Sequence, residues 1–215
     1  MKIAFAEYAI PKGGVVVAGV NDDKSLTPGA AELDRRTGGA LARALKTARF
    51  QGRNGDRLDL VSPGDGSYER IVLVGLGKAK DRDALKAQDL GGNLVAHLNG
   101  AAAIKATMLV DPAPAGPVAG AAAAARMAFG ARLRAYRFDK YRTKEKEEQK
   151  PTLTELTIAV ADAKAADDAF VTLDRVADGV VFTRDLVSEP ANVIFPAALA
   201  EAARTLADDG VEVEV

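Results

Sequence analysis

Short apolar runs rich in valine, isoleucine and leucine alternate along this chain with longer stretches of helical periodicity, and that alternation limits the possible folds. The runs have the length and composition of strands, and they lie at residues 15–20, 57–61, 70–74, 104–110 and 153–160. Strands alternating with helices indicate an α/β protein, a three-layer sandwich whose helices cover a mostly parallel, mixed sheet. A Pro/Gly/Asp cluster at residues 62–66 predicts a hairpin or tight loop between the second and third runs.

Four stretches between and after these runs are predicted to be helical, at residues 27–45, 82–98, 118–136 and 162–187. Thr27 and Pro28 offer an N-cap and a first helical residue for the first of them. The third is rich in alanine, and its apolar residues recur at steps of three and four: Val118, Ala122, Ala125, Phe129, Leu133 and Tyr136. This spacing predicts a helix packed closely in the core.

The chain changes character after the dipeptide Glu189-Pro190. A helix is predicted from Pro196 to Gly210, because proline suits a first helical turn and glycine suits a helix end. Residues 211–215 (VEVEV) then alternate as a strand does, although a strand needs a neighbour to pair with. We therefore expect the chain to stop at the start of a second domain.

The composition excludes several classes of chemistry. The 215 residues include no cysteine and one histidine, which removes disulfide scaffolds, cysteine zinc sites, thiol nucleophiles and paired-histidine metal motifs. The formal charge of −1 argues against a chain-wide surface for nucleic acid or anionic membranes. With no signal peptide or membrane-spanning run apparent, the sequence predicts a soluble, cytoplasmic protein without a membrane partner.

Two further features have both a structural and a functional interpretation. The segment 74–80 (VGLGKAK) follows a strand and precedes a helix, where phosphate-binding glycines occur, but it matches neither GxGxxG nor the Walker A spacing. Its glycines can equally serve a tight turn. His97 lies near the end of a predicted helix, where a structural role at the helix dipole is the simpler interpretation. Neither feature identifies a catalytic residue.

Residues 132–150 form the most charged stretch, with eight basic and four acidic residues and a net charge of 8 − 4 = +4. Aromatic residues interleave the positive charges, a pattern that can bind phosphate backbones and stack on bases. The candidate nucleic-acid contacts are Arg137, Lys140, Arg142 and Lys144. A solvated loop whose aromatic side chains lie on the sheet edge is the alternative.

Three segments, in this order along the chain, resemble the leucyl (cytosol) aminopeptidase family. They are residues 70–78 (RIVLVGLGK), 135–144 (AYRFDKYRTK) and 183–192 (TRDLVSEPAN). The second is similar to the family's SYRFDKYKTK, and the third is similar to its TRDLVNEPAN. The resemblance covers nearly the whole chain. Two positions depart from the family pattern, because Ser188 replaces the usual asparagine and Phe195 stands where threonine usually caps the next helix.

The resemblance implies an N-terminal α/β domain similar to a macrodomain at residues 1–161, a linker helix at 162–188 and the opening of the catalytic domain at 189–215. In this family the catalytic domain uses two divalent metals, zinc or manganese, to remove N-terminal residues from peptides. Its segments of the forms NTDAEGRL and GKGITFDTGG do not occur in this sequence. We therefore assign no catalytic, cofactor-binding or metal-binding residue here, and expect no peptidase activity from these 215 residues alone.

Three hypotheses follow. The leading hypothesis is that the chain is the non-catalytic N-terminal domain of a metal-dependent leucyl aminopeptidase. Such a domain would serve the assembly of a homohexamer and the access of peptides to the active sites. Its partner would be the catalytic domain of the same enzyme. The alternative is a regulatory module that binds nucleic acid, DNA in particular, through the basic stretch. The macrodomain resemblance adds a third, an ADP-ribose-like nucleotide bound at the turn 75–78.

Overall fold

Six strands form the central sheet of the structure, a computed structural model that describes residues 1–112 and 116–215. The strands are β1 (Lys2–Glu7), β2 (Gly14–Val20), β3 (Arg57–Val61), β4 (Tyr68–Gly75), β5 (Lys105–Leu109) and β6 (Glu155–Val160). Their order across the sheet is β1-β6-β5-β2-β4-β3. The pairs are parallel except β3–β4, which is antiparallel. The predicted mixed sheet and the hairpin are confirmed.

Helices cover both faces of this sheet, as the sequence predicts. They are α1 (Pro28–Arg36), α2 (Ala40–Thr47), α3 (Ala84–Gly100), α4 (Gly120–Ala135), α5 (Ala163–Ser188) and α6 (Pro196–Arg204). The core on one face includes α1 and α2, and the core on the other includes α3, α4 and the start of α5. Within the described ranges, no helix is long and apolar enough to span a bilayer.

The central strand β2 supplies both cores because successive side chains point to opposite faces. Val15 and Val17 pack toward α3 and α4, whereas Val16, Ala18 and Val20 pack toward α1 and α2. All five side chains are buried. A strand covered on both faces accounts for the uninterrupted apolar run in the sequence, which is typical of parallel sheets.

Glycine lets α3 and α4 approach each other closely. A Cβ atom at Gly91 would overlap the carbonyl oxygen of Met127, and one at Gly130 would overlap that of Gln88. The apolar face predicted for α4 is therefore only partly right, since the helix is buried on most sides from residue 123 to 131 while Ala122 is exposed. Alanine and glycine allow neighbours on several sides, so periodicity alone understates the burial.

The helix predicted over 27–45 is two helices. Gly38 and Gly39 adopt left-handed conformations (φ 61° and 81°) and break it, and the Asp34 carboxylate accepts a hydrogen bond from the Ala42 amide at 2.9 Å as α2 begins. Thr27 stands at the N-cap as predicted, but its hydroxyl donates to the Gly19 carbonyl (3.0 Å) instead of capping α1.

The two ends of the chain differ from expectation. The first strand, β1, was not predicted, and it adds a parallel edge next to β6. The strand predicted at 211–215 does not form, because those residues have no pairing partner among the described ones and remain irregular. Gly210 ends the preceding short helical turn in the left-handed conformation, as predicted (φ 83°).

Candidate functional site

The strands β2 and β5 separate toward their carboxyl ends. They pair at Val16–Thr107 and Val17–Met108, although β2 continues to Val20 in register with β4. The chain leaves β2 through α1 and α2 on one face, and leaves β5 through α4 on the other. Open α/β sheets bind ligands where neighbouring connections diverge in this way. We call the cavity at this point the crevice.

The crevice has an apolar interior and polar groups near the strand ends. Its volume is about 160 Å³. The apolar lining comes from the sheet and from α3 and α4, and includes Val17, Val74, Leu90, Met108, Ala123 and Met127. The polar lining comes from the loops after the strands, the loop before β3 and the start of α3, and comprises Asn21, Thr27, Asn54, Arg82, Asp83, Lys86 and Asp111.

Arg82 is held at the crevice by backbone and amide oxygens. Its Nη2 donates to the Gly77 carbonyl at 2.9 Å and to Asn21 Oδ1 at 2.8 Å, and its Nε donates to Gly77 and Leu76 at 3.2 and 3.3 Å. Partial burial lowers the pKa of this guanidinium, and the more remote Asp22 opposes the shift. No carboxylate of the described residues forms an ion pair with it.

Asp111, on the other side of the crevice, has a structural role. Its Oδ1 accepts hydrogen bonds from the Tyr8 hydroxyl and from the Gly29 amide in the first turn of α1, both at 2.6 Å. Burial, and then the bond to this carboxylate, raise the pKa of Tyr8 above its ordinary range. One carboxylate thus joins the end of β5, the start of α1 and the segment after β1.

The turn at 75–78, where a phosphate site was one of the hypotheses, has the amide groups of residues 75–77 engaged in the fold. Gly75 donates to the Asp56 carbonyl, Leu76 to Val20 and Gly77 to Gly52, each at 2.9 Å. A Cβ at Gly75 would overlap the carbonyl oxygen of Arg53. These three amides are not available to cradle a phosphate, and the close packing at Gly75 supports the tight-turn interpretation.

Basic side chains of the stretch 132–150 form ion pairs with nearby carboxylates. Arg137 pairs with Glu145, which also lies 3.7 Å from Arg142 Nη1. Lys140 pairs with Glu189 at 2.7 Å. Lys144 is exposed and has no ion pair within the described ranges. Three of the four candidate nucleic-acid contacts are thus partly neutralised within the chain, and nucleic-acid contact stays a prediction.

Two of the segments singled out in the sequence contact each other. Glu189, at the end of α5, accepts hydrogen bonds from Lys140 Nζ (2.7 Å) and the Tyr141 hydroxyl (2.5 Å). The Tyr136 hydroxyl donates to Asp185 at 2.9 Å. The Lys140 bond, and then the Tyr141 bond, lower the pKa of Glu189. We call these contacts between residues 136–141 and 185–189 the clasp.

Arg184 extends this attachment of α5. Its Nη1 donates to the Leu133 carbonyl at 2.8 Å, and its guanidinium lies 5.5 Å from the centre of the Tyr136 ring. The carbonyl of Leu133 belongs to the last turn of α4, where helix carbonyls lack partners of their own. A positive side chain there satisfies an acceptor and complements the helix dipole.

The single histidine has the structural role that the sequence favours. His97 Nε2 lies 2.7 Å from Asp59 Oδ1, and Arg70 contacts the same carboxylate. These contacts connect α3 to the β3–β4 hairpin. Among the described residues, no three histidine, cysteine, aspartate or glutamate side chains are grouped so as to hold a metal ion.

The last quarter of the chain exposes much of its apolar surface. Thirteen large apolar side chains of the described residues are exposed, and eight of them lie in α5 or beyond: Val171, Val176, Val187, Val193, Phe195, Leu199, Val211 and Val215. In the described part of the chain, no residue after Ala177 is buried. A concentration of apolar surface of this kind is typical of a contact surface.

The family model for the N-terminal domain of cytosol aminopeptidases matches residues 16–145. This chain belongs to the cytosol aminopeptidase family. The resemblance inferred from the three sequence segments is therefore confirmed, and the match covers the sheet from β2 to β5 with α1 to α4.

Relatives of the family align along the whole chain. The probable cytosol aminopeptidases of Bradyrhizobium sp. and Caulobacter vibrioides are each 40% identical to it, over 221 and 219 residues. Both alignments cover 100% of this chain but only 42% and 43% of the relative. The chain thus spans less than half the length of the cytosol aminopeptidases that it matches.

Solved structures of longer proteins have a similar fold. A tomato leucine aminopeptidase mutant superposes with a TM-score of 0.79 at 24% identity, over 97% of this chain and 42% of that one. The bottromycin maturation enzyme BotP superposes with a TM-score of 0.65 at 25% identity, over 92% of this chain and 38% of that one. A second BotP structure, described in complex with Mn, superposes with a TM-score of 0.65 at 24% identity. That alignment covers 93% of this chain and 37% of the BotP chain.

Sequence reasoning missed the crevice and the clasp. The segment 135–144 carries the family resemblance, yet its contacts with Glu189 join residues 48 and 49 positions apart. The alternation of charged and aromatic residues in that segment suggested a nucleic-acid surface, whereas two of its aromatic hydroxyls bind carboxylates of α5 and its end. The crevice depends on the separation of β2 from β5, for which periodicity gives no signal.

Proposed function

We propose that this chain is the non-catalytic N-terminal domain of a longer metal-dependent aminopeptidase and that α5 and α6 carry the surface on which the remainder of that enzyme packs. The observation that carries the proposal is the exposed apolar surface after Ala177, in a chain that spans 42% of its Bradyrhizobium relative. The occupant we propose for that surface is the remainder of the longer enzyme, which the relatives possess and these residues do not include.

The exposure of individual side chains supports such an interface. Val187, at the end of α5, is 81% exposed, and Leu199 in α6 is 49% exposed. Burying a side chain of this size contributes about 1.5–3 kcal/mol, so a few such residues suffice to hold two domains of one chain together. We accordingly propose domain boundaries at residues 1–161, 162–188 and 189–215, with α5 as the linker helix.

The proposed chemistry belongs to the part of the enzyme that this chain does not cover. There, two divalent metal ions, Zn²⁺ or Mn²⁺, would activate water and polarise the scissile carbonyl of a peptide. The described residues do not fit such a centre, because they contain no grouping of three metal-ligating side chains. The role proposed for this domain is therefore assembly of a cytoplasmic homohexamer and control of peptide access.

The clasp is a second feature that supports this role. It fixes the end of α5 to the segment after α4 at two carboxylates, Asp185 and Glu189, which lie on either side of the proposed boundary between residues 188 and 189. A helix fixed in this way sets the direction in which the chain leaves the first domain. We propose that the clasp positions the catalytic domain in the longer enzyme.

A chimaera tests the proposal. Residues 1–215 replace the matching 40%-identical region of the Bradyrhizobium enzyme, and leucyl-anilide hydrolysis with Mn²⁺ or Zn²⁺ is measured together with the sedimentation coefficient. We expect activity from the chimaera and none from the 215-residue chain alone. Leu199→Glu should lower the activity and the assembled fraction of the chimaera, because it places a charge in the proposed interface.

Leu85→Glu is the matched control, since Leu85 is 62% exposed in the first turn of α3, within the body of the domain. Both substitutions place glutamate near a helix start, where it is tolerated. Turnover by the 215-residue chain alone would contradict the non-catalytic role. Equal effects of the two substitutions in the chimaera would contradict the interface.

A further inference from the structure

We propose that the crevice binds a small apolar monocarboxylate, with a ring or branched alkyl group between the sheet and α4 and the carboxylate at Arg82 and Lys86. This inference does not depend on the proposed domain role. It assigns a ligand site to the carboxyl ends of β2 and β5, away from the surface on α5 and α6 to which the proposed function refers.

The size of the crevice limits the ligand. Its volume of about 160 Å³ resembles that of an engineered apolar cavity of about 150 Å³ that binds benzene. Side chains from both the sheet and the helices form its walls, among them Met108 on β5 and Met127 on α4. One six-membered ring or one branched alkyl chain fits such a space.

The cationic groups at the crevice lack anionic partners. Arg82 has its Nε and Nη2 engaged with neutral oxygens, and its Nη1 makes no hydrogen bond in the described part of the chain. Lys86 lies on the same side of α3 as Leu90, four residues on, and both line the crevice. Its ammonium has no ion pair among the described residues. A half-buried guanidinium without a carboxylate is costly, and an anionic ligand would compensate it.

The carboxylates near the crevice favour a single negative charge on the ligand. Asp83 caps α3 by accepting from the Lys86 amide at 2.9 Å, and Asp111 accepts from Tyr8 and Gly29. Arg82 and Lys86 share the crevice with the carboxylates of Asp83 and Asp111, and Asp22 also acts on Arg82. These cations tolerate a monoanion better than a dianionic phosphate, because each extra negative charge on the ligand is repelled by all three aspartates.

The three methionines of the chain provide a direct measurement. Met108 and Met127 line the crevice, whereas Met1 is 41% exposed and lines a different depression. With ¹³C-methyl-methionine in the 215-residue protein, phenylacetate should shift the Met108 and Met127 signals with a dissociation constant of about a millimolar. The Met1 signal should not move.

Two related ligands test the chemistry of the head group. Phenylacetamide has the same ring without the charge, and we expect it to bind about tenfold more weakly, as the loss of one charge-assisted contact implies. Phenyl phosphate carries a second charge and should also bind more weakly than phenylacetate. Equal binding of phenylacetamide, or tighter binding of phenyl phosphate, would overturn the assignment of a monocarboxylate.

Variants locate the site. Lys86→Gln should weaken phenylacetate binding about fivefold, whereas Lys80→Gln, which removes an exposed lysine that does not line the crevice, should leave it unchanged. Ala123→Leu fills the cavity from α4 and should abolish the methionine shifts in protein whose circular dichroism is native. Absence of shifts in the unsubstituted protein, or equal effects of the two lysine substitutions, would overturn the proposal.

Discussion

The body of this domain and its last quarter differ in how they use apolar side chains. In the body, Leu33, Leu73, Leu94 and Ile158 are fully buried between the sheet and its helices. After Ala177, in the described residues, none is buried, and α6 has no buried position. The body completes its own core, whereas the C-terminal region leaves large apolar side chains exposed.

The clasp lies where these two regions meet. It is built from polar contacts at the surface, between exposed side chains such as Lys140 and partly covered ones such as Glu189. Such contacts contribute little to the free energy of unfolding but define an orientation. The two regions therefore have different kinds of stabilisation: apolar packing in the body and fixed polar contacts at its exit. Three pairs of substitutions sharpen or break that comparison.

The largest difference is expected between two leucines. Leu94→Ala in α3 should lower the free energy of unfolding by about 2–5 kcal/mol, because it empties a fully buried position. Leu199→Ala in α6 should change it by less than about 0.5 kcal/mol, since half of that side chain is already exposed. Urea unfolding followed by circular dichroism measures both. A cost at Leu199 similar to that at Leu94 would mean that α6 is part of the core.

Two glycines should respond with opposite signs. Gly91→Ala is expected to lower the free energy of unfolding by about 1–3 kcal/mol, because the added methyl group overlaps the Met127 carbonyl where α3 meets α4. Gly179→Ala in α5 meets nothing within 4 Å and should raise it by about 0.5–1 kcal/mol through helix propensity. Thermal midpoints of the two variants test this, and the same sign for both would contradict the difference in packing.

The smallest effect is expected at the clasp. A carboxyl whose pKa is lowered in the folded protein contributes stability above its unfolded pKa and loses it as the pH falls through the folded value. The Glu189 contacts should therefore persist at neutral pH and weaken in acid. Carboxyl NMR titration should give Glu189 a midpoint below that of free glutamate.

Lys140→Gln should move that midpoint back toward the ordinary value, since the Lys140 bond is the main cause of the shift. Lys144→Gln is the matched control, because Lys144 is exposed and has no ion pair in the described ranges. The thermal midpoint should be unchanged in both variants. An unshifted Glu189, or equal effects of the two lysines, would remove the clasp from the account.

The predictability of the fold varies with the range of the interactions involved. The continuous apolar run of β2 and the Pro/Gly/Asp turn before β4 determine their structures locally, and both were predicted. The break at Gly38-Gly39 could have been predicted, because two successive glycines disfavour a continuous helix. The helical periodicity on both sides of the glycines favoured a single helix instead. Residues 211–215 alternate correctly and still form no strand, because pairing depends on a neighbour.

The candidate sites were less predictable for the same reason. The segments 135–144 and 183–192 were recognised individually, but their contact through Glu189 depends on how α4 and α5 pack. Arg82 and Asp111 line one crevice although 29 positions separate them along the chain. Such proximity arises from strand order and strand separation, which composition and periodicity do not encode.

The most direct test of the central claim is amide hydrogen exchange in α6, measured in the 215-residue chain and in the chimaera with the remainder of the Bradyrhizobium enzyme. If the C-terminal region needs that partner, the α6 amides should exchange rapidly in the chain alone and about a hundredfold or more slowly in the chimaera. The amides of β2 should be protected in both. Equal exchange of α6 in the two proteins would contradict the account.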